Sequence, residues 1–217
     1  MSVPRVTTFG WVPEFARGLV RDMRVRWALE ETGQRYEVRL IDFPTAKADA
    51  HRALQPFGQV PTYQDDRVAL FESGAIALHI ANRWPGLMPG GEEARLHETQ
   101  WVIAALNSVE PWVMALVINN VFEADSEWSK TREPKVRADL KARLDDLSHA
   151  LGDRPWFGGE GFGVGDLMMV SVLRGLRGLD VLEQHPALGR YVARGEARPA
   201  FGKALADHMA VFAEAAE

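Results

Sequence analysis

The chain contains no cysteine. That absence removes a disulfide framework, a thiolate metal site and a cysteine nucleophile. Any thiol chemistry must therefore use a thiol carried in by a ligand. The histidines (His51, His79, His97, His149, His185 and His208) show no ligand spacing, and no H-E-x-x-H pair occurs. A phosphate loop, a G-x-G-x-x-G turn and a G-x-S-x-G elbow are also missing. No metal and no nucleotide are expected. Positive charge is not in surplus: 25 Lys and Arg against 30 Asp and Glu leave −5. This balance disfavours nucleic acid or an anionic membrane as a partner. Uninterrupted apolar runs fall well short of the roughly 20 residues a spanning helix needs. The opening Met-Ser-Val-Pro-Arg is not followed by the apolar core of a signal peptide. The expected location is cytoplasmic.

What is present is ordinary globular material: 217 residues, 47% hydrophobic and 25% charged, enough for two modest domains. The first third alternates between strand and helix patterns. Arg5 to Phe9 reads as a strand. Phe15, Leu19, Met23 and Trp27 repeat every four residues, and Gly33 supplies a helix stop. Tyr36, Val38 and Leu40 alternate with charges as a second strand. Thr45 to Leu54 reads as a short helix or loop. Asp65-Asp66 marks a tight turn between a β-prone segment and a strand at Val68 to Phe71. Ser73 opens a helix that Pro85-Gly86 closes. The order β-α-β-(α)-β-β-α with an antiparallel hairpin predicts a mixed four-stranded sheet.

Beyond Pro89-Gly90-Gly91 the patterns are helical. A long helix is expected over Glu92 to Phe122, bent at Pro111. Val136, Leu140, Leu144, Leu147 and Leu151 stripe a second helix. Further helices are expected over Asp166 to Leu179, Ala187 to Arg194 and Phe201 to Ala215. The predicted fold is an α/β domain over 1–84, a linker at 85–92 and an all-α domain over 93–217.

Two short segments flank the hairpin, Gly58-Gln59-Val60-Pro61 and Phe71-Glu72-Ser73-Gly74-Ala75-Ile76. With Arg24-Val25-Arg26-Trp27-Ala28-Leu29 before them and Arg198-Pro199-Ala200-Phe201 near the C-terminus, they resemble the glutathione transferase family in the right order across the chain. The resemblance implies a thioredoxin-like first domain, a cis Val-Pro bond, glutathione as co-substrate, a small hydrophobic electrophile and a homodimer. The chemistry suits those residues. Val60 can pair with the cysteinyl part of a peptide as an added strand. Ser73 at a helix N-terminus can hold the γ-glutamyl carboxylate. Glu72 can accept the α-ammonium, and Gln59 can reach the glycyl carboxylate.

The family activates the thiol with a Tyr, Ser or Cys near the first helix, and none lies between Gly10 and Met23. The expected activator is the set of N–H groups opening the first helix, assisted by Arg17 or Arg21, with the Thr8 hydroxyl as the rival candidate. A second site between the domains, walled by Trp11, Trp101, Ser108 and Trp112, is expected for the electrophile. Asp166 is read as a structural cap: it sits three residues after Gly163, where the family carries a hydroxyl. A non-catalytic glutathione-binding module and a glutathione-dependent disulfide reductase are the competing readings.

Overall fold

A computed structural model describes residues 3–214. The chain forms two compact units, one comprising the described residues up to Met88 together with those from Ala197 onward, the other Pro89–Glu196. The break falls inside the expected 85–92 linker. The chain then returns, so the final helix belongs with the first unit rather than with the helical domain assigned to 93–217.

In the first unit β1 (Arg5–Phe9) leads to α1 (Asp22–Glu31), β2 (Glu37–Ile41), the short helices α2 (Phe43–Lys47) and α3 (Asp49–Arg52), β3 (Thr62–Gln64), β4 (Ala69–Phe71) and α4 (Ser73–Arg83). The sheet order is β2-β1-β3-β4. β1 and β2 run parallel, Arg5 opposite Glu37, whereas β3 is antiparallel to both neighbours. This is the mixed four-stranded sheet that the sequence predicts. A parallel β1–β2 pair needs a crossover, and α1 supplies it. Gly33 ends α1 at φ +66, and Gln34 N–H closes back on the Leu29 carbonyl at 2.8 Å.

The first helix begins later than its apolar period suggests. Gly18 takes φ +76, which breaks the helical course, and only a 3-10 turn forms at Glu14–Ala16. Phe15 and Leu19 therefore precede the helix, and Phe15 is exposed. The last helix, α10 (Pro199–Glu214), packs on α1. Phe201 meets Trp27 edge-on at 5.0 Å, and Arg198 forks onto the Glu31 carboxylate at 2.6 and 2.7 Å. The predicted end of that helix, Ala215, lies outside the described residues.

The second unit is helical. α5 (Glu92–Ala104) passes through a π turn (Ala105–Val109) into α6 (Glu110–Val117), and a second π turn follows (Ile118–Phe122). Pro111 lies in the first turn of α6. Its missing N–H is accommodated by the widened turn before it, so the expected bend takes the form of a π segment. This course is also longer and more apolar on average than its uninterrupted runs suggest. By length and a mean hydropathy of 1.6 it could cross a membrane, contrary to the sequence reading. It packs on two helices of its own unit, α7 (Glu127–Leu151) and α8 (Val164–Leu173). α7 starts nine residues before the expected stripe and carries Pro134 within it. α8 stops short of Leu179: a 3-10 turn at Arg174–Leu176 and Gly178 at φ +77 end it. α9 (Pro186–Glu196) completes the unit.

The N-terminus of α8 is buried, so its N–H groups must be satisfied from within. Asp166 does what the sequence predicts. Its Oδ2 accepts from Gly163 N–H at 3.1 Å, and its Oδ1 accepts from Phe157 N–H and from the Tyr191 hydroxyl. Burial pushes its carboxyl above the usual range even against these lowering bonds. The hydroxyl missing at Gly163 is replaced from another helix. Glu98 of α5, 4% exposed, accepts from Gly165 N–H at 2.7 Å. Glycines make room for it: a Cβ on Gly158 or Gly163 would lie within 2.3 Å of the Glu98 carboxylate.

Burial, opposed by the Gly165 bond and reinforced by the Asp166 charge, raises Glu98 from 4.5 to about 7. The folded chain then holds a proton that the unfolded chain has already released. The contribution of Glu98 to stability should be full below pH 4.5 and fall as pH rises toward 7, by up to about 3 kcal/mol at about 1.4 kcal/mol per tenfold change in proton affinity. Glu98→Gln keeps an acceptor for Gly165 and cannot ionise. Denaturant melts at pH 5 and pH 8 should differ less for Glu98→Gln than for the parent.

Candidate functional site

The sheet register brings the notable residues to one end. Thr62, the first residue of β3, pairs with Phe71, the last of β4, and with Thr7 near the end of β1. Val60-Pro61, Glu72-Ser73 and the Gly10 loop therefore share one sheet end. β2 runs parallel to β1, so its own exit into α2 arrives there too. Loops beyond the carboxyl ends of strands are where α/β sheets place ligands.

The Val60–Pro61 peptide is cis, as the resemblance implies. The Val60 side chain is buried with Ile41 and Ala46, which leaves its backbone to define the edge. Ser73 is the first residue of α4 and is buried, and its Oγ accepts from Arg24 Nη1 at 3.2 Å. With that lone pair engaged, the hydroxyl hydrogen remains to donate to an anion. Glu72 is exposed and holds φ +69 without being a glycine. Such backbone is costly and clusters where ligands are gripped. The N-terminus of α4, a buried hydroxyl, a buried guanidinium and an exposed carboxylate thus meet at one point. An ammonium-and-carboxylate head group has matching charges.

The loop before β3 is held by a backbone turn from Gly58 N–H to the Gln55 carbonyl and by side chains from the segment preceding it. Gln55, 2% exposed, accepts through Oε1 from Phe57 N–H at 2.7 Å and Gln59 N–H at 3.3 Å. Lys47 Nζ donates to the Gly58 carbonyl at 2.9 Å. Arg52 donates to the carbonyls of Lys47 and Pro56. His51 Nε2 lies 2.7 Å from the Gln59 carbonyl. Gly58 sits at φ +62, and a Cβ there would come within 2.7 Å of the Ala46 carbonyl. Gln59 itself is exposed. Lys47 is the residue that sequence reasoning missed: it places an ammonium beside Gln59, suited to a carboxylate. The signal was a lone lysine in a weakly patterned stretch, which only the fold brings next to Gly58.

The candidates for thiol activation are scattered. Thr8 is fully buried within β1, and its hydroxyl finds no partner among the described residues. The Arg17 guanidinium lies 5.7 Å from the Phe212 ring, on α10. Arg21 is exposed at the N-cap of α1, and the first turn of that helix holds the buried Asp22 carboxylate. Trp11 is 56% exposed and meets Phe43 edge-on at 6.3 Å, while Phe43 packs on Phe9 at 4.5 Å. In the helical unit Trp101 is turned onto Phe157 at 4.2 Å, Ser108 is exposed in the first π turn, and Trp112 is exposed with Arg143 5.9 Å over its ring. The described residues contain no group able to hold a metal ion.

Comparison with known proteins bears on this arrangement. The family model described as the N-terminal domain of glutathione S-transferase matches residues 14–82, and the one for its C-terminal domain matches residues 109–199. Glutathione S-transferase 4 of Zea mays is 31% identical over 175 residues, covering 70% of this chain and 72% of the relative. Glutathione S-transferase F11 of Arabidopsis thaliana is 30% identical over 198 residues, 84% and 91% of the two chains. Among solved structures, a glutathione transferase from Burkholderia graminis with two glutathione molecules bound per subunit superposes with a TM-score of 0.82. It is 25% identical and covers 94% of this chain and 87% of its own. Family models over both units, and relatives at this identity along most of their length, place the chain in the glutathione S-transferase family.

Proposed function

We propose that the protein binds glutathione at this end of the sheet and transfers it to a small hydrophobic electrophile. The observation that carries the reading is the convergence of Gln59-Val60-Pro61 with Glu72-Ser73 where β3 starts and β4 ends. Glu72 takes the α-ammonium of the γ-glutamyl residue. Ser73 and the N–H groups opening α4 take its carboxylate. Val60 pairs with the cysteinyl backbone as an added strand. Gln59 and Lys47 hold the glycyl carboxylate. In the reaction the glutathione thiol loses its proton to solvent, and the thiolate forms a carbon–sulfur bond while the leaving group departs with its electron pair. Exposed Trp11, Phe15 and Phe43 give the first unit apolar surface for such an electrophile. We place the protein in the cytoplasm, as a homodimer. Exposed Phe57 and Phe71, ring centroids 6.3 Å apart, support the dimer by giving the first unit an apolar feature that a partner copy would cover.

Calorimetry tests the anchor. Glu72→Ala and Ser73→Ala should each weaken glutathione binding by about 1–3 kcal/mol, the cost of a charge-assisted hydrogen bond. Unchanged affinity in both folded variants removes the site.

The missing hydroxyl favours weak activation, and the pH–rate profile measures it. Conjugation of an aryl halide should rise with pH and level only near the range of a free thiol, about 8.5. A plateau already reached at pH 6 would mean that a protein group depresses the thiol strongly. Conjugation absent altogether, with disulfide reduction present, would move the assignment to a glutathione-dependent reductase. Binding with neither activity leaves a glutathione-binding module.

Light scattering at micromolar concentration should give twice the 24.2 kDa chain mass. A monomer contradicts the homodimer.

A further inference from the structure

We infer that His51 is a positioning residue for the glutathione site, fixing Gln59 and hence the glycyl end of the ligand; this deepens the proposed function and rests on it. His51 lies at the third position of α3, eight residues before Gln59, and its side chain is 1% exposed. Its Nε2 stands 2.7 Å from the Gln59 carbonyl oxygen. A carbonyl only accepts, so Nε2 must carry the hydrogen and the ring is the Nε2–H tautomer when neutral. Nδ1 is also buried and has no partner among the described residues. A metal role is unsupported, since no three-ligand group exists among the described residues. A ring sealed from solvent also cannot reach a substrate proton.

What the ring does is set by what it holds. Gln59 immediately precedes Val60 and the cis bond to Pro61. Its N–H is taken by Gln55 Oε1 at 3.3 Å and its carbonyl by His51, so two buried side chains grip the two backbone groups of one exposed residue. The Gln59 side chain is then aimed by a fixed backbone instead of a mobile loop. The next residue presents the edge for the cysteinyl backbone. Removing the His51 donor leaves the Gln59 carbonyl without its ring partner, facing the buried side chain that replaces it. The cheapest relief is a turn of the Phe57–Gln59 stretch toward water, because an unsatisfied acceptor is expensive, while Val60 stays held by its buried side chain against Ile41 and Ala46. That rotation moves Gln59 before it disturbs Glu72, which joins β4 to α4, or Ser73, the first residue of α4.

The test compares two ligands on the full chain. Glutathione carries the glycyl carboxylate, and γ-glutamylcysteine lacks it. His51→Leu should weaken glutathione about tenfold, the scale of one hydrogen bond, while changing γ-glutamylcysteine by less than about threefold. His51→Gln places an amide N–H near the position of Nε2 and should recover most of the glutathione loss. Equal losses for both ligands, or no loss in a folded His51→Leu, overturn the positioning role. If the parent binds no glutathione, the functional reading fails and the inference goes with it. One measurement needs no variant: nitrogen–proton correlation spectra of the parent should show the His51 ring protonated at Nε2. An Nδ1–H tautomer cannot donate to Gln59 and refutes the inference even if His51→Leu does not fold.

Discussion

The structure of the first unit depends on burying α1 on every side. Eight consecutive residues of this helix, Asp22 to Leu29, are buried, and three of them are charged. Such charges are tolerated only with partners, and two of those partners tie other elements to α1. Arg24 reaches Ser73 at the start of α4. Arg26 bonds Asp22 at 2.7 Å, and Asp22 also meets His208 of α10 at 3.2 Å. Burial alone would raise the Asp22 carboxyl, but His208 and Arg26 outweigh it and hold the group below its ordinary range. The Arg198 fork onto Glu31 adds a further tie to α10. The return of the C-terminal helix to the first unit is thus a consequence of where the charges of α1 must find company. The same requirement delivers a guanidinium to the candidate ligand anchor.

A second buried helix end shows the same logic in the other unit. The usual remedy for the first N–H groups of α8 is a local hydroxyl, and Gly163 has none. Asp166 supplies half of a capping box, and Glu98 supplies the acceptor from a distant part of the chain. Gly158 and Gly163 stay small because a Cβ at either would strike that carboxylate. The loop from Gly158 to Gly163, glycine-rich enough to read as slack, meets a side chain from α5 at both of its ends.

Much of this was legible in the sequence where periodicity and short-range chemistry decide the outcome. The strands, the hairpin turn at Asp65-Asp66, the α7 stripe and the Asp166 cap all follow from patterns within a few residues. What escaped depends on contacts far apart in sequence. The late start of α1 turns on Gly18 at φ +76, which apolar spacing does not encode. The placement of α10 turns on Asp22, Glu31 and their partners some 170 to 190 residues away. Gln59, Val60, Pro61, Glu72 and Ser73 were readable as a resemblance because they lie in two contiguous strings. Lys47, His51 and Gln55 were not, since their significance lies in which carbonyl or N–H of the following loop each one meets.

The site is unequal in its parts, and the inequality constrains its chemistry. On the proposed reading both ends of glutathione have charged and hydrogen-bonding partners, whereas the loop where a thiol-activating hydroxyl is customary offers Trp11 and Phe15, both exposed. Thr8, the hydroxyl closest to that loop in sequence, is sealed inside β1, and the first turn of α1 already contains a carboxylate. A helix N-terminus stabilises an anion by roughly 0.3–1 kcal/mol, less than one decade of thiol acidity. Holding two reactants in register is worth far more, about 7–11 kcal/mol when the geometry is right. A protein with strong anchors and weak activation must therefore draw its rate from position. On that reading, the side chains of Lys47, His51, Arg52 and Gln55 that hold one short loop serve position.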